Sequence, residues 1–262
     1  QNLANVNTEG YSRRQIVLSE RPPTDANSAG RGVTVAEVRS MRDGYIQSRL
    51  RTEQPKAAMD EAVADALSVA ESALGTPGSS IDAALEQFFS AFSALSENPA
   101  SPELRDGVAR QGEALAQMFH DVSDRLSAIR QDADTTLSGS VGEINRLTGQ
   151  IAQYNSQIST ANGRDVTGII DARDVTLQRL SKIVDVTAYQ RADGAMDVAI
   201  GQGRALVVGG DVSALSIQHE PSTGNTSIFL NDANISGEIH GGTIAGNQAV
   251  RDHYIPDDLD KL

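Results

Sequence analysis

Cysteine and tryptophan are absent from this 262-residue chain, and aromatic residues make up only 4% of it. Without cysteine the chain can form no disulfide framework, carries no thiolate nucleophile and offers no cysteine ligand to a metal. The scarcity of aromatic side chains, in a sequence rich in alanine, serine, glutamine and asparagine, favours helices packed side by side over the compact core of an enzyme.

Positive charge and long apolar runs are scarce as well. The formal net charge is -13, and no cluster of lysine and arginine stands out. Because phosphate binding needs clustered cations, this balance argues against a nucleic-acid surface. The longest apolar runs fall far short of the ~20 residues needed to cross a bilayer, and the first residues lack the pattern of a cleaved signal. We therefore predict no nucleic-acid partner and no membrane partner.

The most prominent stretch that is present runs over residues 102–161. It has no proline after its first position and predicts one helix about 90 Å long. Ser101 and Pro102 provide an N-terminal cap, and Asn162 with Gly163 provides a stop. A narrow apolar seam, typical of a coiled coil or bundle, predicts partner helices along its length. The seam consists of Leu104, Val108, Leu115, Met118, Val122, Leu126, Ile129, Leu137, Val141, Ile144, Leu147, Ile151, Tyr154 and Ile158.

Two shorter elements precede this helix. Alternating apolar residues in 13–20 and 32–38 predict two strands of a hairpin-like arm, with a turn region between them. Residues 42–74 predict a helix that Pro55 should kink or interrupt.

A third element, residues 81–95, predicts an amphipathic helix that carries three of the five phenylalanines, Phe88, Phe89 and Phe92. A partner-binding pocket is one interpretation of that cluster. We favour core packing against the long helix instead.

After the long helix, residues 165–183 predict a shorter helix, and the pattern then changes to short runs of period two. These runs, separated by glycine-rich turns, predict a small antiparallel β domain. They are 184–190, 196–200, 205–208, 215–219, 226–230 and 235–239. Ile255, Leu259 and Leu262 then mark the beginning of a helix without a stop signal, so we expect the natural polypeptide to continue.

Two motifs carry a resemblance to a known family. Residues 4–13, ANVNTEGYSR, resemble the segment that follows the N-terminal helix in bacterial flagellar axial proteins, the rod, hook and hook-associated family. Residues 168–174, GIIDARD, resemble the Leu-Leu-Asp-Gln-Arg-Asp box found after the long helix in hook-associated proteins and flagellins. The form of the first motif is most similar to the hook-associated members at the junction of hook and filament.

The resemblance implies an α+β fold, mainly α: an antiparallel long-helix bundle like the flagellin core, with an extended β arm and a small β domain. The corresponding domains are a linker and arm over 1–41, the helical domain over 42–184, the β domain over 185–240, and the start of a return to the helical domain over 241–262. The extreme N-terminal helix and the C-terminal half of such proteins are missing, and we expect this chain to be monomeric or weakly associated.

The same resemblance implies the candidate site residues. The assembly motif comprises Asn2, Ala4, Asn5, Asn7, Thr8, Gly10, Tyr11 and Arg13, and the structural motif comprises Asp171, Arg173 and Asp174. Asp171 and Arg173 are two apart on a helix and so do not share a face. Arg173 and Asp174 are predicted to tie the helix to its neighbours as a surface pair worth ~0–1 kcal/mol.

The function implied is that of a self-assembling, non-catalytic flagellar subunit that connects hook to filament. The implied partners are copies of itself in a ring, hook subunits and the next hook-associated or filament subunits, with an export chaperone binding the absent C-terminal region. The implied location is the extracellular flagellum, reached through the flagellar type III export pathway.

No residue pattern supports catalysis. The four histidines have no ligand spacing, Gly201-Gln202-Gly203 is a lone Gly-x-Gly, and no serine, histidine and aspartate arrangement stands out, so we predict no cofactor and no metal. Three alternatives stay open: another axial subunit (rod, hook or flagellin), an extracellular adhesin with a β head, and a hydrolase with its acids in the β domain.

Overall fold

The computed structural model describes residues 2–8, 10–21, 32–41, 44–75, 80–161, 164–220 and 225–259. The fold is α+β and mainly α, with 62% of residues in helices, which confirms the predicted fold class. The six α-helices are α1 (Gly44–Leu74), α2 (Ile81–Glu97), α3 (Pro102–Ser159), α4 (Thr167–Ile183), α5 (Gly242–Ala249) and α6 (Ile255–Leu259) in the described part of the chain.

The chain divides into two compact units, whose boundaries fall inside α1, inside α3 and after the first residue of α5. The first comprises Gln1–Ala58 and Ser140–Gly242, and the second comprises Met59–Gly139 and Thr243–Leu262. Each unit is described by itself below. The domain boundaries expected from the resemblance stay a prediction.

In the first unit, strands β1 (Arg14–Glu20) and β2 (Val33–Ser40) form the antiparallel hairpin that the alternation predicts. The register pairs Leu18 with Val35 and Glu20 with Val33, and it shifts by a bulge between Val17 and Leu18. Of the predicted turn region, residues 22–23 and 27–32, only Gly32 lies within the described residues, with φ +81.

The predicted interruption of α1 at Pro55 is wrong, because the helix continues through this residue from Gly44 to Leu74. A proline inside a helix removes one backbone hydrogen bond and crowds the preceding turn, at a cost of ~3 kcal/mol. Pro55 is buried here, and a Cβ at Gly241 would lie only 2.9 Å from its Cβ. Tertiary packing around Pro55 therefore offsets the local cost.

The predicted core packing of the phenylalanines is also wrong for two of the three. Phe89 is 63% and Phe92 is 53% exposed, and α2 has no buried residue. Phe88 faces α3, where a Cβ at Gly112 would lie 3.5 Å from its ring. Position 89 lies about 100° around the helix from position 88, so these two rings point in different directions.

Helix α3 confirms the predicted long helix and its apolar seam. Ser101 caps it, since its Oγ accepts a hydrogen bond from the backbone N–H of Leu104 at 3.3 Å. No residue of the predicted seam is exposed, and Leu126, Ile144 and Ile151 are fully buried. The predicted stop at 162–163 lies outside the described residues.

The sequence predicted that helices alone would pack along the apolar seam of α3, and the structure differs from this prediction. In the second unit, Val122, Leu126 and Ala133 join Ala70 of α1 and residues of the C-terminal helices in one apolar cluster. In the first unit, α3 instead contacts β-sheets: Asn145 and Asn155 hydrogen-bond to the backbone of strand residues.

The sheets of the first unit are antiparallel throughout the described residues. Besides the β1–β2 hairpin, one sheet has the order β3 (Val186–Gln190), β4 (Met196–Ile200), β5 (Arg204–Val208), β6 (Asp211–Val212), and another has the order β7 (Leu215–His219), β8 (Thr226–Leu230), β9 (Ala233–Asn234). The predicted strand at 235–239 is wrong. Residues Ser236–Glu238 form a 3-10 turn, since the backbone N–H of Glu238 bonds the carbonyl of Ile235 at 2.9 Å.

The C-terminal helical segment begins earlier than predicted, at Gly242 rather than near Ile255. Helices α5 and α6 are joined without a break by a π-helical turn, Val250–Tyr254. Gly242 has φ +80, and a Cβ there would overlap the backbone of Ile183, so glycine is required where this segment starts.

Candidate functional site

The two family-like motifs meet in the first unit, 159 residues apart in sequence. The Oγ of Ser12 donates a hydrogen bond to Oδ1 of Asp171 at 2.9 Å, and its backbone N–H lies 3.5 Å from Oδ2. A guanidinium nitrogen of Arg14 lies 3.6 Å from the same carboxylate. Asp171 is 8% exposed, so these contacts are shielded from water. We call this set of contacts the motif junction.

Gly10 fits the motif junction because it has no side chain. Its φ is +75, and a Cβ at this position would overlap Cγ2 of Val175 on α4. Any other residue would combine a strained backbone with a steric clash. The turn at Gly10 is what allows the N-terminal segment to approach α4 before the chain enters β1.

Asn2 and Tyr11 hold the N-terminal segment to the start of β1. Oδ1 of Asn2 accepts hydrogen bonds from the Tyr11 hydroxyl at 2.9 Å and from the backbone N–H of Arg14 at 3.0 Å. Its Nδ2 donates to the carbonyl of Arg14 at 2.9 Å. The guanidinium of Arg14 stacks over the Tyr11 ring at 5.2 Å.

The remaining motif residues make local contacts or point to solvent. The Oγ1 of Thr8 donates to Oδ1 of Asn5 at 3.3 Å, within a turn closed by their backbones. The side chains of Ala4, Asn7 and Arg13 are exposed.

Arg173 and Asp174 are not a surface pair, contrary to the prediction. Arg173 is 2% and Asp174 is 8% exposed. Nη1 of Arg173 donates to the carbonyl of Gly194 in the β3–β4 turn at 2.8 Å, and Nη2 lies 3.5 Å from Oδ1 of Asp174. A charge buried this deeply must be compensated, so the value of a surface pair does not apply. Helix α4 thus holds the N-terminal segment through Asp171 and a sheet turn through Arg173.

A carboxylate, that of Asp165, also lies just before the start of α4. Hydrogen bonds donated by the backbone N–H and the hydroxyl of Thr167, at 2.9 and 2.7 Å, lower the pKa of Asp165 below its ordinary value, with a smaller contribution from Arg14. The negative charge at this end of the helix is favourable for the helix dipole.

A cavity of about 450 Å³ lies beside the motif junction. It is open to solvent and is lined by residues of the N-terminal segment, the first turn of α1 and α4, among them Tyr11, Ile46 and Val175. In the part of the chain that the structure describes, no group of three or more histidine, cysteine or acidic residues is placed to hold a metal ion, and no helix is long and apolar enough to span a membrane. The arrangement is suited to positioning chain segments.

The sequence did not single out Ser12, Arg14 or Val175 as site residues. Ser12 and Arg14 lie within or beside the first motif, but nothing local indicates an aspartate 159 residues away. Val175 follows the second motif directly, and its role depends on the absence of a side chain at Gly10.

Most of the chain is similar to known proteins. Residues 67–262 match the family model "Flagellar hook-associated protein FlgK helical domain". The chain is 28% identical to flagellar hook-associated protein 1 of Bacillus subtilis over 266 residues, which cover 90% of this chain and 52% of that protein. It is 26% identical to the Escherichia coli protein of the same name, over 82% of this chain and 40% of that protein.

A solved structure agrees in fold. The flagellar hook junction protein FlgK from Burkholderia pseudomallei superposes with a TM-score of 0.69 at 23% identity, over 81% of this chain and 40% of that chain. The chain thus spans about half the length of the Bacillus relative and less of the others.

Proposed function

Because this chain belongs to the family of the flagellar hook-associated protein FlgK, whose model it matches over residues 67–262, we propose that it is a structural subunit that connects the hook to the filament of the bacterial flagellum. Its family is one of structural flagellar proteins, and we infer that it has no catalytic role. The family match is the main observation behind this proposal, and the contacts at the motif junction are a second, structural observation that supports it.

The motif junction gives the N-terminal segment a fixed exit from the helical region. Asp171 holds Ser12 and Arg14, and Gly10 allows the close approach to α4. A subunit that transmits torque between two polymers needs its linking segment tied to a stiff element. We propose that Asn2, Gly10, Tyr11 and Asp171 serve this role, while the exposed Ala4, Asn7 and Arg13 are available to neighbouring subunits.

The proposed partners follow the same reasoning. They are further copies of the chain, the hook subunits on one side and the next hook-associated or filament subunits on the other. We propose an extracellular location at the hook–filament junction, reached by flagellar type III export, with an export chaperone that binds outside this chain.

Immunoelectron microscopy of flagella from the source bacterium, with antibodies raised against this chain, tests the location. We expect gold label at one narrow band between hook and filament. Label along the hook, along the filament or over the cell surface would contradict the proposal and would favour a rod, hook, flagellin or adhesin role.

Site-directed variants test the role of the motif junction in the same cells. Asp171→Ala should weaken the N-terminal attachment and reduce motility, because Ser12 and Arg14 lose a buried acceptor. Asp211→Ala, at an exposed residue of β6, is the matched control and should swim normally. Equal motility of the two variants would remove the proposed role from Asp171 and leave the band of label unaffected.

A further inference from the structure

Helix α3 contains one stretch of low helix propensity, residues 135–142, which we call the weak stretch. The strong helix formers are alanine, leucine, arginine, methionine, lysine, glutamine and glutamate, and among these eight residues only Leu137 is one of them. The eight residues before the weak stretch (127–134) and the eight after it (143–150) contain four strong helix formers each. Local propensity therefore makes the weak stretch the least stable of the three segments.

Two glycines in the weak stretch, Gly139 and Gly142, are not explained by packing. Both are exposed, and a Cβ built at either position would meet no described atom within 4 Å. Gly10 and Gly242, by contrast, lie where a Cβ would overlap a neighbouring element. Alanine would fit at positions 139 and 142 and would favour the helix, because glycine loses the most backbone freedom there. The effect of these two glycines is thus to weaken α3.

Hydroxyl groups also compete for backbone carbonyls in the weak stretch. The side-chain hydroxyls of Thr135, Thr136 and Ser138 each donate to the carbonyl four residues earlier, at 3.0, 2.9 and 3.3 Å. Bonds of this kind share a carbonyl with the helix N–H that also needs it, and they often bend helices. Neighbouring serine and glycine, as at Ser138 and Gly139, are a known cause of kinks. The weak stretch therefore combines low propensity with two local features that favour a bend.

Side-chain contacts hold α3 on both sides of the weak stretch. Before it, Oδ1 of Asp134 accepts a hydrogen bond from Nη1 of Arg251 at 2.6 Å within the second unit. After it, Asn145 makes two hydrogen bonds of 2.8 Å to the backbone of Leu215 within the first unit. The unit boundary crosses α3 between these contacts, directly after Gly139. A distortion of α3 that keeps both contacts must therefore be taken up by residues 135–144.

The two sides of the weak stretch differ in their access to water. Leu137 and Val141 are buried, at 0% and 4% exposure, whereas Gly139 and Gly142 face solvent. Helices bend with the convex side toward solvent, because carbonyls on that side tilt toward water and their hydrogen bonds lengthen. Glycine leaves the backbone open to water at these positions. The glycines thus lie where helix bonds lengthen in a bend, and the apolar seam lies on the opposite side.

We propose that the weak stretch is a built-in bend point of α3. The carbonyls of residues 135–142 accept hydrogen bonds from the N–H groups of residues 139–146, and these bonds open locally while the apolar seam stays buried. Helix α3 is continuous in the structure, so the open form is a minor state in equilibrium with it. This inference goes beyond the proposed function, because it concerns the isolated chain in any role.

Native-state hydrogen exchange of the purified chain tests the bend point. Local opening exposes little surface, so its rate hardly depends on urea, whereas exchange by global unfolding accelerates steeply with urea. After correction for intrinsic rates, we expect the amides of 139–146 to exchange about tenfold faster than those of 150–157 and to be insensitive to urea below the unfolding transition. The amides of 150–157 should accelerate with urea, because Asn145 and Asn155 attach that part of α3 to strands.

Glycine-to-alanine variants identify the segment that opens. The double variant Gly139→Ala/Gly142→Ala favours the closed helix over the open form, so exchange at 139–146 should slow about tenfold. Gly149→Ala is the matched control, because a Cβ there also meets no described atom within 4 Å and residue 149 stays helical in both forms. The control stabilises both forms equally and should leave exchange at 139–146 unchanged.

Three outcomes would overturn the inference. Slowing at 139–146 by Gly149→Ala as large as that of the double variant would show that the weak stretch opens only when the whole helix unfolds. An acceleration by urea as steep as that at 150–157 would show the same, and an unchanged rate in the double variant would show that the glycines do not control the opening. None of these results affects the position of the gold label, so the proposed function is tested separately.

Discussion

The two halves of helix α3 share one apolar spacing but bury it in different surroundings. In the half that belongs to the second unit, the buried residues are Val122, Leu126, Ala133 and Leu137, all of them apolar. The half that belongs to the first unit also buries Thr148 and Asn155, each at 0% exposure. The periodicity therefore predicts which side chains are buried and leaves open what covers them.

The polar residues show that the half of α3 in the first unit contacts the ends of strands. Asn155 donates from Nδ2 to the carbonyls of Met196 and Gly209, both at 2.8 Å, and its Oδ1 accepts from the backbone N–H of Met196 at 2.9 Å. A neighbouring helix satisfies its own backbone groups, whereas the ends of strands leave such groups open. A buried asparagine, with both a donor and an acceptor, is suited to a sheet and unsuited to an apolar helix seam.

The largest expected effect is that of Asn155→Ala. Three hydrogen bonds are lost and their backbone partners stay buried, so we expect the free energy of unfolding to fall by about 3–5 kcal/mol in urea titrations. Gln153→Ala, at an exposed position of the same helix, is the control. A loss no greater than that of the control would mean that Asn155 does not hold the sheet.

Asp134→Ala tests the half of α3 that belongs to the second unit. We expect it to have the next largest effect on the free energy of unfolding. Nη1 of Arg251, whose side chain is 5% exposed, donates to Oδ1 of Asp134 at 2.6 Å. Burial opposes the charge of Arg251, but hydrogen bonds to Asp252 and Asp134 outweigh it and raise the pKa of this guanidinium.

We expect a loss of about 2–3 kcal/mol for Asp134→Ala, since Arg251 retains Asp252. Thermal unfolding followed by circular dichroism measures it, with the exposed Asp132→Ala as control. Equal melting temperatures for the two variants would show that apolar packing alone stabilises the half of α3 in the second unit.

Asn145→Ala tests the second contact between α3 and a strand, at a residue that is more exposed than Asn155. Asn145 bonds the backbone of Leu215 twice at 2.8 Å, but it is only half-buried, so water can replace part of the loss. We expect a decrease of about 1–2 kcal/mol. Amide hydrogen exchange should accelerate at Leu215, whose N–H donates to Oδ1 of Asn145, and stay unchanged at Met196. Acceleration at both amides would indicate one cooperative sheet instead of two separate attachments.

The smallest expected effect concerns pH. Burial raises the pKa of Asp185, at the end of α4, although the backbone N–H of His240 acts in the opposite direction. A carboxyl whose pKa is raised in the folded state binds its proton more tightly there than in the unfolded state. Stability therefore falls as pH rises through this range.

Asp185→Asn should make the protein slightly more stable at pH 7, by less than about 1 kcal/mol, because the group is only half-buried. The difference should vanish as pH falls toward the ordinary aspartate value of about 4. Urea titrations across this pH range, with the exposed Asp211→Asn as control, measure it. A variant that is less stable at pH 7 would show that the hydrogen bonds outweigh burial.

The sequence predicted elements well where local physics decides them. The long helix, its cap at Ser101, the hairpin alternation and five of the six β runs follow from periodicity and turn residues. It failed where tertiary contacts override local preference. Pro55 continues a helix because it is buried, and residues 235–239 include a 3-10 turn where period-two spacing predicted a strand.

In the candidate site, too, the sequence predicted local features and missed contacts between distant residues. Both motifs were identified in the sequence through their resemblance to known flagellar proteins. Their contact through Ser12 and Asp171 was not visible, because a hydrogen bond between residues 159 apart leaves no local pattern. The burial of Arg173 was missed for the same reason, since its acceptor, the carbonyl of Gly194, lies in a turn of another element.

By itself, the amino-acid sequence determined the length and seam of α3 and the periodicity of the strands. These follow from short-range sterics, hydrophobic spacing and residue count. Only the tertiary structure decided that α3 bonds strand backbones through Asn145 and Asn155, that Phe89 and Phe92 face solvent and that the two motifs meet at Asp171. Those outcomes depend on which surfaces of distant elements come together, and burial and hydrogen-bond satisfaction across the whole fold select them.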